Sequence, residues 1–166
     1  MPLDNLLNLV DAVEISNEAY NPVAALKARV VAALNGVGGV GSAVIANGIN
    51  TAQNAVQTIF LVLFSSTFNA TEANAAIPFP KAGNLSNLFI RTTAAQDASG
   101  STVATVMLNG VATLLAVTVP AGAAAGTFSN LVNTVSVAQG NNVSIRLVNN
   151  AAVNGPHIPG VSVQFT

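Results

Sequence analysis

Residues 101–119 read STVATVMLNGVATLLAVTV. In the second half of this stretch, Val111, Thr113, Leu115, Val117 and Val119 alternate with Ala112, Leu114, Ala116 and Thr118. Strict alternation of this kind is typical of a β-strand with one buried face. The pair Asn109-Gly110 separates the two halves, and both residues tolerate the positive φ that a two-residue hairpin turn requires. The stretch therefore predicts an antiparallel β-hairpin.

The same period of two continues to the end of the chain. Val143, Ile145 and Leu147 alternate with Ser144 and Arg146, and Val161, Val163 and Phe165 alternate with Ser162 and Gln164. Further strands are predicted at 58–67, 73–79, 86–93, 101–108 and 128–137. Turn signals rich in Gly, Pro and Asn separate these runs. About eight short strands at this spacing predict a mainly β fold, an antiparallel jelly-roll sandwich, as a head domain over residues 58–166.

Residues 1–57 differ in pattern and are predicted to form a helical, Gly-hinged N-terminal arm. Asn21-Pro22 is a typical helix start, because a capping side chain precedes a proline at the first helical position. Ile49, Ala52, Val56 and Ile59 are spaced three, four and three, which is also helix-like. Short helices cannot bury two earlier apolar stripes alone, so the stripes must pack on each other, on the sandwich or on the next subunit. We expect the arm to dock on a neighbouring subunit. The docking residues are Leu3, Leu6, Leu7, Val10, Val13, Val23, Leu26, Val30 and Leu34.

One predicted strand is apolar on both faces. Its residues are Ile59, Phe60, Leu61, Val62, Leu63 and Phe64. A surface strand of a monomeric sandwich does not tolerate two apolar faces, whereas a strand buried between subunits, or a central strand under the helical segment, does. We therefore expect these six residues to form the interface of a homotrimer.

The composition supports extensive contact between subunits. Hydrophobic residues make up 51% of the 166 residues and charged residues only 7%, against about 25% in ordinary soluble domains. A monomer with so few charges has little to keep it apart from its neighbours. The chain contains no Cys, which excludes disulfides, thiolate nucleophiles and Cys-based zinc sites.

The sequence argues against nucleic-acid and membrane partners. The five basic residues are scattered along the chain, whereas nucleic-acid binding needs clustered Lys and Arg. The longest apolar run, 59–64, is far shorter than the roughly 20 residues of a membrane-spanning helix. The N-terminus lacks the basic region of a secretion signal. We therefore expect a protein made in the cytoplasm that binds neither nucleic acid nor membrane.

The glycine-rich segment 36–41 matches the dinucleotide fingerprint G-x-G-x-x-G. That fingerprint needs a strand before it and an acidic residue about 20 positions after it. A helix is predicted before this segment, and no Asp or Glu occurs between Glu18 and Glu72. The segment is therefore interpreted as a hinge, and no cofactor is expected.

The residues that catalysis needs are too few to form a site. His157 is the only histidine, and Glu72 and Asp97 are the only acids after residue 18. A paired-carboxylate mechanism or a serine nucleophile would have to use nearly all of them. They are also too sparse for a calcium cage. We expect His157 to be a plain loop residue, and we expect the chain to have no catalytic or metal site and not to be an enzyme.

Three stretches resemble a bacterial and phage module. Residues 76–88 read AIPFPKAGNLSNL, residues 108–110 and 117–122 read LNG and VTVPAG, and residues 135–146 read VSVAQGNNVSIR. They are similar to the C-terminal head of the collagen-like exosporium glycoproteins of Bacillus spores. The resemblance implies a trimeric jelly roll related to tumour-necrosis-factor and complement heads, without catalytic residues. The chain departs from the family in lacking a collagen Gly-X-Y tract and in carrying Gly140-Asn141 where Gly-Asp is common.

These observations lead to one main hypothesis and two alternatives. The main hypothesis is a self-assembling structural protein, the homotrimeric subunit of a bacterial spore surface layer or appendage fibre. Its partners would be further copies of itself and an anchor protein of that layer. The first alternative is a phage fibre or spike head, located in a virion. The second is a lectin-like module that presents loops such as 94–100 and 153–160 to glycans.

Overall fold

A computed structural model describes residues 43–48 and 51–166, which fall within the compact unit Ser42–Thr166. In these residues the chain forms thirteen strands and one 3₁₀ turn, Glu72–Asn74. The strands are β1 Ala43–Asn47, β2 Thr51–Ala52, β3 Gln57–Leu61, β4 Phe68–Asn69, β5 Ile77–Pro78, β6 Gly83–Arg91, β7 Thr102–Leu108, β8 Val111–Val119, β9 Thr127–Asn130, β10 Val135–Val137, β11 Asn142–Asn149, β12 His157–Ile158 and β13 Gly160–Phe165. Within this described part, no helix is long and apolar enough to cross a membrane.

The strands form two main antiparallel sheets. Sheet I has the order β1-β13-β6-β10, and β9 also pairs with β6. Sheet II has the order β4-β3-β11-β7-β8, and β5 also pairs with β11. The strands β2 and β12 form a separate small pair. Because the chain passes repeatedly between the two sheets, this is a jelly-roll arrangement, and the predicted mainly β antiparallel sandwich is confirmed.

A single hydrophobic core lies between the sheets. Sheet I contributes side chains such as Leu88 and Val163, and sheet II contributes Leu115, Ile145 and Leu147. Each of these residues alternates with an outward-facing neighbour, as the period of two predicts. Burial of each such aliphatic side chain stabilises the fold by about 1.5–3 kcal/mol.

The predicted hairpin is confirmed as β7–β8. Leu108 pairs with Val111 across the two-residue turn. Asn109 has φ 50° and Gly110 has φ 81°, so both residues adopt the left-handed region. Two consecutive positive φ values match the twist of the flanking strands, which explains why Asn-Gly occupies this turn.

The helical prediction for the N-terminal arm is wrong where the structure describes it. Ala43–Asn47 and Thr51–Ala52 are strands. Strand β1 pairs with the last strand, β13, so that Ala43 lies opposite Phe165 and Asn47 lies opposite Val161. Pairing with a strand distant in sequence overrides a short helix-like spacing. The docking residues from Leu3 to Leu34 and the glycine-rich segment 36–41 lie outside the described residues. The division of the chain at residue 57 stays a prediction.

The doubly apolar strand is explained by the chain's own packing. Ile59, Leu61 and Leu63 are buried in the core, so these three side chains are not available to another subunit. Phe60 and Val62 are half-buried, and Phe64 is exposed. Strand β3 sits between β4 and β11 rather than at a sheet edge. The predicted strand ends at Leu61, and Val62 and Phe64 lie in the loop that follows β3. The trimer stays a prediction, and Phe60, Val62 and Phe64 are the members of the predicted interface that are not fully buried.

Candidate functional site

The outer face of sheet II is covered by the chain itself over strands β7 and β11. The segment between β3 and β5 carries the 3₁₀ turn, and Glu72 of this turn accepts a hydrogen bond from Ser144 on β11 (Oγ to Oε1, 2.9 Å). Ser144 has no exposed surface, and Thr105 and Met107 are also buried although none of the three belongs to the core cluster. These outward-facing side chains are therefore enclosed, and this part of sheet II offers no surface to a partner.

The outer face of sheet I is open. A row of outward-facing residues crosses four strands: Ala46 pairs with Ser162, Ser162 with Phe89, and Phe89 with Ser129. Phe89 is 36% exposed, and its cross-strand neighbours are small. We call the outward-facing residues around it the platform: Val44, Ala46, Asn87, Phe89, Arg91, Thr127, Ser129, Ser162 and Gln164. Its central feature is the partly exposed aromatic ring of Phe89.

A β-bulge shapes one side of the platform. The register between β6 and β13 shifts between Ser162 and Gln164. At the bulge Asn87 adopts φ 51°, and its side-chain amide donates a hydrogen bond to the side-chain oxygen of Gln164. Bulges bend a strand and re-aim its side chains, and they are common near binding sites. Here the bulge places two amide side chains beside Phe89.

The other side of the platform carries its single charge. Arg91 lies opposite Thr127 and donates to its hydroxyl (Nη1 to Oγ1, 3.3 Å). Shallow depressions of about 260 and 300 Å³ lie on the two sides of Phe89, one lined by Arg91, Thr127 and Gly160 and the other by Val44, Asn87 and Gln164. The platform thus combines an aromatic ring with amide, hydroxyl and guanidinium groups.

Hydrogen bonds made by the flanking residues Thr93 and Ala152 bring the loops 94–100 and 153–160 close to one another. Ala152 donates its backbone N–H to Ser99 Oγ (2.9 Å), and Thr93 donates to the carbonyl of His157 (3.0 Å). A buried polar network fixes the same end of the sandwich, because Thr102 donates to Gln96 (2.7 Å) and Asn149 donates to the carbonyl of Val153 (3.1 Å). Several polar groups of these loops are therefore occupied by hydrogen bonds within the protein.

The two acids considered for catalysis, Glu72 and Asp97, make hydrogen bonds to different partners. Glu72 bonds to Ser144, and Asp97 accepts bonds from the hydroxyl (2.5 Å) and backbone N–H (2.8 Å) of Ser99. The hydrogen bond from the Ser99 hydroxyl, followed by that from its N–H, lowers the pKa of Asp97. His157 is exposed on β12. In residues 43–48 and 51–166 no group of three or more His, Asp or Glu side chains is arranged to hold a metal ion.

The platform residues were not identified from the sequence as a site. One signal was present in the sequence: the apolar residues Leu85, Leu88 and Ile90 are spaced three and then two apart. A break from strict alternation inside a strand indicates a bulge. That signal locates Asn87, but it does not show which strands lie beside it.

Comparison with known proteins gives structural likenesses only. No protein-family model and no curated protein matches the chain. A CBM35 from Cellvibrio japonicus is similar at 23% identity and TM-score 0.39, covering 67% of this chain and 68% of that one. A family 35 carbohydrate-binding module from Clostridium thermocellum has 17% identity and TM-score 0.40, covering 73% and 97%. A Xyl-CBM35 solved with a disaccharide containing glucuronic acid has 26% identity and TM-score 0.35, covering 53% and 61%.

Proposed function

We propose that this chain is a non-catalytic binding module and that the platform on sheet I binds a saccharide. The observation that carries the proposal is the exposed ring of Phe89, set among small side chains and flanked by the amides of Asn87 and Gln164.

The side chains of the platform suit a sugar. An aromatic ring with one accessible face can pack against the apolar C–H face of a pyranose. Amide groups both donate and accept hydrogen bonds, as sugar hydroxyls do, and Ser162, Ser129 and Thr127 add hydroxyl groups. A binding site typically combines apolar contact with a few placed polar groups.

The same residues supply no catalytic group. The platform contains no Asp, Glu or His, so it has no side chain that could act as a general acid or base near neutral pH. Glu72 and Asp97 are bonded to Ser144 and Ser99, on other parts of the fold. Binding without turnover is therefore the function that we propose.

The proposal can be tested on a glycan array with the full chain. We expect binding to a restricted set of glycans, and we expect soluble forms of those glycans to raise the melting temperature, because a ligand that binds only the folded state stabilises it. Ser162→Asp, which places a charge beside Phe89, should abolish both signals. Absence of any glycan signal, or a full signal from Ser162→Asp, would contradict the proposal.

A second candidate is the self-assembling structural subunit. Strand β8 is an edge of sheet II and carries no charged residue, and Val111 and Leu114 on it are exposed. Leu131 and Val132 are exposed nearby, just after Asn130, whose amide donates to the carbonyl of Ala116 on β8 (2.8 Å). Exposed apolar side chains that cluster in this way are typical of interaction surfaces.

Light scattering distinguishes a self-assembling subunit from a monomeric protein. The full chain should form trimers that Leu114→Asp dissociates, since burying an unpaired charge in an interface is costly. A monomeric wild type would overturn it. The similarity to exosporium heads, the location on a spore or in a virion, the docking arm and the anchor protein remain predictions that belong to this candidate.

A further inference from the structure

A second exposed aromatic ring lies in line with Phe89. Phe64 donates its backbone N–H to the carbonyl of Ala46 (3.1 Å), so it lies beside β1 on the side away from β13. Ala46 belongs to the row that runs through Ser162 to Phe89. The backbone of Phe64 therefore lies at one end of this cross-strand row and Phe89 at the other, with Ala46 and Ser162 between them. The side chain of Phe64 lines both the depression beside Ala46 and an apolar cavity beside Ile45.

The loop that carries Phe64 is held firmly. Asn47 is 3% exposed, and its amide donates to the carbonyls of Val62 (2.7 Å) and Thr67 (3.0 Å). Val62 in turn donates its N–H to Thr67 (3.2 Å). These bonds fix both ends of the loop 62–67, so the position of Phe64 does not depend on a ligand.

Phe64 itself has an unfavourable conformation. Its φ is 60°, in the left-handed region that bulky residues rarely adopt, and its side chain is 68% exposed. Neither feature stabilises the fold, because a left-handed residue is strained and an exposed ring gains no burial. Strained residues that the surrounding structure holds in place are concentrated at functional sites.

A depression connects Phe64 to the platform. It has a volume of about 720 Å³, and its lining includes Phe64, Ser65, Ser66 and Pro159 but no charged side chain. It shares Val44 with the depression beside Gln164, and it shares Ala46 and Gly160 with the depression beside Arg91. The three depressions thus form one continuous surface from Phe89 to Phe64.

We infer that the ligand is an oligosaccharide that crosses the strands of sheet I and contacts both Phe89 and Phe64. This inference rests on the proposed function and specifies its ligand. Three strand spacings separate the two backbones, a distance of about 14 Å, which is longer than one pyranose ring. A monosaccharide reaches one aromatic ring only, whereas a longer chain reaches both and also meets the hydroxyls of Ser65 and Ser66.

Titration calorimetry with oligosaccharides of increasing length tests the inference. The probes are cello-, xylo-, manno- and chito-oligosaccharides from the monosaccharide to the hexasaccharide, each titrated into the full wild-type chain. The same titrations are made with Phe64→Ala, Phe89→Ala and the control Phe68→Ala, which removes an exposed ring from β4 of sheet II. Melting temperatures confirm that each variant is folded.

The affinity of wild type should rise with length in one series, by about tenfold or more once the chain reaches Phe64. Phe64→Ala should remove this gain and leave the affinity for short chains unchanged, whereas Phe89→Ala should weaken every length and Phe68→Ala none. If Phe64→Ala binds all lengths as wild type does while Phe89→Ala does not, the inference is wrong and the proposed function stands. If no series binds at any length, both are wrong.

Discussion

The outer faces of the two sheets are built from the same kinds of residue but have opposite surroundings. On sheet II, Ser144 is enclosed under the 3₁₀ turn and bonded to Glu72. On sheet I, Ser162 occupies a similar outward position beside Phe89 and is only half-buried. The covered face adds packing and hydrogen bonds to the stability of the fold. The open face leaves an aromatic ring and several polar groups accessible, so it is the face on which a binding function is expected.

The largest expected effect comes from the same substitution on the two faces. Ser144→Asp places a second carboxylate against Glu72 in a buried position. We expect a loss of about 3 kcal/mol or more in the free energy of unfolding. Ser162→Asp on the open face should cost less than about 0.5 kcal/mol. Urea denaturation of both variants measures this difference, and equal losses would show that the two faces are not distinguished by burial.

A smaller effect is expected at the bulge of the open face. Asn87 has positive φ, which costs an L-residue about 1–2 kcal/mol but costs glycine little. Asn87→Ala loses the hydrogen bond to Gln164 and keeps the strain, whereas Asn87→Gly loses the bond and relieves the strain. Asn87→Gly should therefore unfold at a higher urea concentration than Asn87→Ala. The reverse order would mean that Asn87 is not strained in solution.

The smallest expected effect is a change in the pKa of Asp97, which lies on neither of the two outer faces compared above. Because its pKa is lowered in the folded state, Asp97 contributes stability above its unfolded pKa of about 3.9, and this contribution is lost as the pH falls through the folded pKa. Ser99→Ala removes the largest cause and should raise the pKa of Asp97, as measured by carboxyl NMR titration. Saccharide binding between pH 5 and 7 should not change. A change in that range would place the loop 94–100 in the binding site.

The sequence was informative about buried faces and much less so about outer ones. The alternation from Val111 to Val119 and the Asn109-Gly110 pair were sufficient to predict β8 and its hairpin, because both signals are local. The strand β1 was predicted as part of a helical arm, because its strand conformation depends on pairing with β13, more than 100 residues away. The difference in burial between Ser144 and Ser162 depends on the path of the segment between β3 and β5. No local sequence pattern predicts that path.

The platform was missed for the same reason. Phe89 becomes the centre of a site only when Ala46, Ser162 and Ser129 are placed beside it by strands from three other parts of the chain. Each of those residues is unremarkable within its own segment. Loops 94–100 and 153–160, which the sequence favoured for glycan contact, make several hydrogen bonds to the chain around them.

The central claim is that the open face of sheet I, and not another exposed aromatic ring of the molecule, binds the ligand. The most direct test compares Phe89→Ala with Phe68→Ala, because the two residues are the same type and have similar exposure, 36% and 43%. The measurement is the dissociation constant for the tightest glycan found on the array. Phe89→Ala should weaken binding by about tenfold or more, which corresponds to about 1.4 kcal/mol, and Phe68→Ala should leave it unchanged. Weaker binding by Phe68→Ala with normal binding by Phe89→Ala would contradict the account.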